Sequence, residues 1–320
     1  MATMATTVSF ANGLSRIASD LWYRTVHVPA RENLLYDFIT DLRSNGFAKT
    51  SDYVTSLAIA VFITFLRHYA TLYLFQSFTK TSGMEEKNGQ KFCESAWKAI
   101  FYATSWSYCL YLVTCKYPFF NQPESVWFDF EVGMDVPADI YWVYMIQLGF
   151  YFHSIFASLF MDEVRRDFVA IIFHHVLTIC LISFSLTIRY HNIGLMVIFF
   201  HDVTDILMEL SKCSLYMKQR NDTKYPLWGH VANVGFMFFM ITWFVSRMYW
   251  FFFKVLYSAG HLYLFYIPEP RFYVFFNAML WMLSFLNIYW FYYIIKVALR
   301  IIYGQEVKDS RDIDDEKKRD

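Results

Sequence analysis

Charge is scarce in this chain. Asp, Glu, Lys and Arg make up 18% of its 320 residues, against the roughly one quarter usual in a soluble domain. The 28 basic and 28 acidic side chains cancel, so no field of one sign marks a nucleic-acid binder. Cysteine is also sparse. Cys93, Cys109, Cys115, Cys180 and Cys213 show no metal-ligand spacing, and four of them lie in or beside apolar runs. They read as free thiols behaving as small hydrophobes, with a Cys109–Cys115 bridge as the alternative. No HExxH sequence is present, which argues against the common zinc hydrolases. The nine histidines include a scattered set, His27, His68, His153, His191, His230 and His261, without the HxxHH-like repeats of membrane di-iron oxygenases. No inverted internal repeat supports a transporter. The first 16 residues lack a basic head followed by a compact apolar run, so no cleavable signal peptide is expected and the first span directs insertion.

What the chain has in quantity is apolar and aromatic surface: 57% of residues are hydrophobic and 22% aromatic. A helix needs ~20 mainly apolar residues to cross the ~30 Å hydrocarbon core. Seven stretches qualify: Val54–Phe75, Ala96–Thr114, Ile140–Phe160, Phe168–Ile188, Ile193–Leu210, Val231–Tyr257 and Phe272–Ile302. The expected fold is therefore an all-α polytopic membrane protein, with about seven transmembrane helices enclosing an intramembrane polar pocket. The fifth stretch is short and the most polar, so hydropathy supports it least.

Orientation follows from Lys and Arg in short loops. Loops after spans one, three and five hold Lys80, Lys87 and Lys91, then Arg165 and Arg166, then Lys212, Lys218, Arg220 and Lys224. Those loops are expected in the cytosol, with the amino terminus luminal and the carboxyl terminus cytosolic. The amino-terminal segment, with Arg16, Arg24, Arg31, Arg43 and Lys49, weighs the other way, but its length weakens the constraint. The connection Lys116–Asp139, with Trp127 and Phe128, is expected along the luminal interface. The sequon Asn221-Asp222-Thr223 falls in the most basic cytosolic loop and is expected to carry no glycan. Ser258–Arg271 is expected to form a luminal connection between the last two spans.

Ionisable side chains deep in a span are expensive and suggest function. Span four carries His174 and His175; span five carries His201, Asp202, Asp205 and Glu209. His174 lies ~9 Å past the start of span four, and Asp205 ~8 Å before the end of span five, at 1.5 Å per residue. The two sets match in depth on antiparallel neighbours joined by a tight turn, Arg189–Asn192, and can meet in one pocket. Asp202 and Asp205 are spaced i,i+3, and His201–Asp205 and Asp205–Glu209 are spaced i,i+4, so one face of span five reads as continuously polar. A carboxylate beside a histidine fixes its tautomer, a combination that suits general base or nucleophilic catalysis of acyl transfer. The alternative is that these residues pair with each other as interhelical glue. His153, with Ser154 in span three, is a further candidate for the same pocket.

The run Arg165–Lys218 resembles the signature segment of the longevity-assurance ceramide synthases, with the paired histidines, HDxxD 27 positions after His174, and the ExxK that follows. KFCESAWKAIFYATSWSYCLY, FYFHSIFASLFMD and FFNAMLWMLSFLNIYWFYYI extend the resemblance over roughly Lys91–Tyr303, the whole TLC domain. It implies N-acylation of sphinganine or sphingosine by acyl-CoA in the endoplasmic-reticulum membrane. It also implies homo- or hetero-dimers with other ceramide synthases. The family's essential positions fall on His174, His175, Asp202 and Asp205, with His201 and Glu209 in the wider motif. The connection Gln76–Ser95 is too short for the homeobox-like insert of many animal members, so the chain is most similar to the animal subtype without it. That subtype implies stearoyl-CoA as donor.

The polyanionic CoA headgroup is expected at a cytosolic mouth among Arg165, Arg166, Lys212 and Lys218. His174 is the favoured nucleophile, giving an acyl-imidazole, with Asp202 or Asp205 orienting the pair; His175 as the nucleophile and direct attack by the amine are the alternatives. No permanently bound cofactor or metal is required. The resulting division is 1–51, a luminal or interfacial segment; 52–90, the first span and a short cytosolic loop; 91–303, the catalytic domain of six spans; and 304–320, a charged cytosolic tail expected to be disordered. The rival function is a non-catalytic TLC-type lipid-binding or translocon-associated protein.

Overall fold

A computed structural model of the chain describes residues 9–26, 34–220, 226–267 and 272–303, and every regular element among them is helical. In hydrocarbon a helix satisfies its backbone hydrogen bonds within one segment, which accounts for that uniformity. Proline sits where it is tolerated. Pro123 and Pro226 occupy first helical turns, and Pro137 stands at a helix N-cap.

The helices are α1 (Phe10–Val26), α2 (Leu34–Asn45), α3 (Thr50–Thr81), α4 (Glu86–Tyr111), α5 (Ala138–Phe160), α6 (Phe168–Thr187), α7 (His191–Gln219), α8 (Pro226–Tyr266) and α9 (Tyr273–Ile302). Five of them, α3, α5, α6, α8 and α9, are long and apolar enough to cross a membrane. The other two expected spans, in α4 and α7, are helical but too polar to qualify by composition. Their polarity is matched by their position: α7 packs along both α4 and α8, with fifteen of its residues buried, among them His201, Asp202 and Glu209. Charge that lipid would exclude is thus sheltered by protein on several sides.

Two connections carry more structure than a plain loop. In the Lys116–Asp139 connection Trp127 is packed inside the protein: it is 2% exposed, and its indole N–H donates to Ser258 Oγ at 2.9 Å. Phe128 beside it is exposed. The expected loop Ser258–Arg271 begins instead as helix, the π-helical Ser258–Leu262 followed by Tyr263–Tyr266. Helix persists to the residue before Ile267, whose extended backbone meets the requirement of the proline that follows. Leu262 and Leu264 pack on the core, whereas Phe265 is exposed. Pro268, Pro270, the sequon at Asn221 and the charged tail lie outside the described residues.

The amino-terminal helix α1 packs on the bundle. Ile17 of α1 is fully buried, Arg16 donates to the Tyr257 hydroxyl at 3.1 Å, and His261 Nδ1 lies 2.6 Å from Asp20 Oδ2. The five cysteines are free.

Helices α3 and α5 approach closely at Gly149. A Cβ there would stand 2.6 Å from Ile59 Cγ2 and 2.9 Å from the Ser56 carbonyl oxygen. Small residues permit such backbone approach between membrane helices. Gly149→Ala is expected to destabilise the fold by about 1–3 kcal/mol. A clear drop in the melting temperature of the detergent-solubilised protein checks this, and an unchanged melt contradicts it.

Candidate active site

A cavity of about 400 Å³ opens among α3 to α9 at the end of the bundle that carries the connection between α5 and α6. His153, Arg165, Arg166, His174, His175, Asp205, Glu209 and Lys212 line it. Thus α5, the 161–167 connection, α6 and α7 each supply side chains that the sequence singled out.

The turn between α6 and α7 sets histidine and carboxylate at one level of the cavity. It is tighter than expected, with α7 already begun at His191 and Arg189 in a left-handed conformation, φ 67°. His174 stands 14 residues before Ile188, and Asp205 14 residues after His191. Each is therefore about 21 Å from the turn along its helix. The His174 and His175 ring centroids are 5.8 Å apart, and the edge of Trp290 meets His174 at 5.3 Å. Nδ1 of both histidines is buried and has no hydrogen-bond partner. His153 Nδ1 is engaged by Thr64 Oγ1 at 2.8 Å, and its Nε2 is without a partner.

Three singled-out residues lie outside this cavity, although His201 borders, with His174, the smaller space adjoining it. Asp202 is 1% exposed and faces α4 and α5, accepting from Ser105 Oγ at 2.8 Å and Gln147 Nε2 at 2.6 Å. His201 Nδ1 lies 2.8 Å from the Val197 carbonyl, and its Nε2 lies 3.3 Å from the Asn287 amide nitrogen. A neutral ring with its proton on Nδ1 satisfies both contacts, and the ring rests on the edge of Phe251 at 5.2 Å. Lys218 packs its methylenes over Gly229, away from the cavity lining.

Asp205 faces the cavity with a partner that the sequence reading overlooked. Arg247 Nη2 binds Asp205 Oδ1 at 2.7 Å and donates to the His201 carbonyl at 2.9 Å. Its guanidinium lies 4.1 Å over the Trp243 ring, and the side chain is 3% exposed. Arg247 belongs to a π-helical stretch of α8, Phe244–Leu256. Such stretches are rare and concentrate at functional sites. The available signal was a lone arginine inside an apolar span, the same signal that drew attention to span five.

The mouth carries a second set the sequence reading did not assemble. Arg67 binds Asp162 at 2.5 Å, Lys98 binds Asp162 at 2.9 Å and Glu94 at 2.7 Å, and Arg165 binds Glu94 at 3.1 Å. Cations and carboxylates alternate along this chain, so each buried charge meets an opposite one. Below His174 a narrower space of about 30 Å³ continues between Leu181, Ile198, Leu280 and Leu283. The site thus presents unpartnered imidazole nitrogens between a charged mouth and an apolar slot. That arrangement suits a substrate with a polar head, a reactive carbonyl and a hydrocarbon tail.

Comparison with known proteins gives this arrangement a family. The TLC domain family matches residues 91–296. The chain is 44% identical over 254 residues to ceramide synthase 1 of Homo sapiens, covering 78% of this chain and 73% of that one. The figures for ceramide synthase 1 of Mus musculus are the same. It is also 30% identical over 305 residues to Alternaria stem canker resistance protein 1 of Solanum lycopersicum, covering 86% of this chain and 92% of the relative. The chain belongs to the ceramide synthase family of TLC-domain membrane proteins.

Proposed function

We propose that the chain is an acyl-CoA-dependent sphingoid-base N-acyltransferase, converting sphinganine or sphingosine to dihydroceramide or ceramide. The observation that carries this reading is the single cavity joining His174, His175 and the Asp205–Arg247 pair to a charged mouth. The mouth lies beside the α5–α6 connection, whose Arg165 and Arg166 mark it as cytosolic under the positive-inside rule. CoA docks there, with Arg165, Arg166 and Lys212 nearest its phosphates; Lys218 has no part in this contact.

The thioester carbonyl comes to His174 and the acyl tail enters the slot between Leu181 and Leu283. The unprotonated imidazole nitrogen of His174 attacks, the C–S bond breaks, and the ring's N–H proton passes to the departing sulfur, so that CoA leaves as the thiol. The amine of the sphingoid base then attacks the acyl-imidazole carbonyl, forming the amide C–N bond and freeing the imidazole. Asp205, held by Arg247, sets the field around the histidine pair. Asp202 acts at one remove, anchoring α7 to Ser105 and Gln147. The donor is stearoyl-CoA, by likeness to the subtype without an insert, and the chain works in the endoplasmic reticulum as a homo- or hetero-dimer. The polar α4 and α7 complete seven crossings, with the amino terminus luminal.

Purified full-length chain in lipid nanodiscs, given stearoyl-CoA and sphinganine, should yield dihydroceramide and an equal amount of free thiol. No product with any acyl-CoA would defeat the reading. It would favour the non-catalytic alternative, in which the histidines are dispensable. Topology has its own check. Asn221 should carry no glycan and the chain should keep its gel mobility after endoglycosidase treatment; a glycan there would turn the mouth to the lumen.

A further inference from the structure

Glu209 lines the cavity, is 2% exposed and is only half satisfied by the protein. Its Oε1 accepts from Lys212 Nζ at 2.8 Å, while Oε2 is buried with no hydrogen-bond partner. A buried carboxylate oxygen left bare is costly, and such groups persist where a ligand completes them.

Most other carboxylates around the cavity are already occupied. Asp205 is held by Arg247, Asp162 by Arg67 and Lys98, and Glu94 by Lys98 and Arg165. Glu163 faces Lys91 at 3.5 Å. Asp167 is the exception, accepting from Trp290 Nε1 at 3.3 Å and leaving Oδ1 without a partner. Asp167 immediately precedes α6, seven residues before His174, or about 10 Å along the axis. Glu209 is four residues from Asp205 on α7, a single turn of about 6 Å toward the mouth. Of the two, Glu209 is the deeper and the nearer to the level at which the acyl carbonyl is held.

An unsatisfied anionic oxygen above a reactive carbonyl calls for a cation that carries the second reactant. We infer that Glu209 is the docking carboxylate for the ammonium group of the acyl acceptor, an inference that rests on the acyltransferase reading above. An ammonium nitrogen offers N–H donors to Oε2, while Lys212 keeps Oε1 and fixes the plane of the carboxylate. The same contact solves a chemical problem. A protonated amine has no lone pair, so one proton must leave before it can attack. That proton passes from the ammonium to Glu209, giving a neutral amine and a carboxylic acid. The amine forms the C–N bond to the acyl carbon as the bond to the imidazole breaks. The second amine proton goes to the departing imidazole nitrogen, and Glu209 returns its proton to water at the mouth.

The test uses full-length chain in nanodiscs with sphinganine and acyl-CoA varied separately. Absence of transfer by the wild type would defeat the acyltransferase reading; every later comparison is made within an active enzyme. Glu209→Gln should raise the KM for sphinganine about ten- to hundredfold, the loss expected of one charge-assisted hydrogen bond. The KM for acyl-CoA should move little, Glu209→Asp should recover part of the loss, and Asp167→Asn should leave the sphinganine KM in place. Wild-type enzyme supplies a measurement independent of any variant's folding. A long-chain N,N-dimethylamino diol should inhibit it about tenfold or more better than the analogue with hydroxyl in place of nitrogen. An unchanged sphinganine KM in Glu209→Gln would overturn the inference. So would a shift produced by Asp167→Asn instead, or equal inhibition by the charged and neutral analogues.

Discussion

Replacement of His174 by alanine is expected to lower N-acylation by at least about 10³-fold, because the proposed reaction loses the group assigned to receive the acyl chain. The fold should survive. His174 Nδ1 has no hydrogen-bond partner, so truncation strands no group that depended on it. His175→Ala should lose about 10²–10⁴-fold, the range for a residue assisting proton transfer or holding a neighbour in place. Comparable expression and monodispersity of both variants, with turnover measured on the same preparations, would separate chemistry from folding. Wild-type-like turnover in both would remove the cavity from the reaction.

Arg247 produces the other large effect, and it reverses the order of losses. Arg247→Met leaves Asp205 without its cation in a site where both side chains are largely buried. Removing one member of such a pair costs about 3–5 kcal/mol, much of a typical domain's stability, so yield should fall before activity is measured. Asp205→Asn strands the opposite charge and should also reduce yield, with less effect because the amide still accepts a hydrogen bond. The double variant Arg247→Met with Asp205→Asn should recover much of the lost yield while staying at least about 10²-fold down in turnover. Normal yield for Arg247→Met alone would show that the ion pair does not hold this part of the bundle together.

Much of this site was legible in the sequence, and for a definite reason. His174 and Asp205 stand on antiparallel helices joined by a tight turn, so counting residues from either end places them at one level. The counting failed for Asp202 because three residues advance a helix by about 300°, not a full turn. The deviation is enough to turn its carboxylate toward Ser105 and Gln147. Arg247 escaped because a π-helical stretch changes which residues share a face, and α-helical periodicity gives no notice of it. Arg67 was visible as a charge within the first span, yet its partner Asp162 lies 95 positions away and only the folded bundle joins them. The polarity of α7 likewise looked unfavourable for a span when that helix was read alone. In the structure α7 packs along both α4 and α8 and buries its polar side chains against them, which is where such side chains in a membrane protein can be kept.

The central claim is that His174 takes the acyl group, and it is tested most directly by intact mass. Purified chain incubated with stearoyl-CoA alone should gain one stearoyl group, lose it on treatment with hydroxylamine, and transfer it to sphinganine added afterwards. The adduct should be absent from His174→Ala. A fully active enzyme that shows no adduct under these conditions, or an adduct that persists in His174→Ala, would contradict the account.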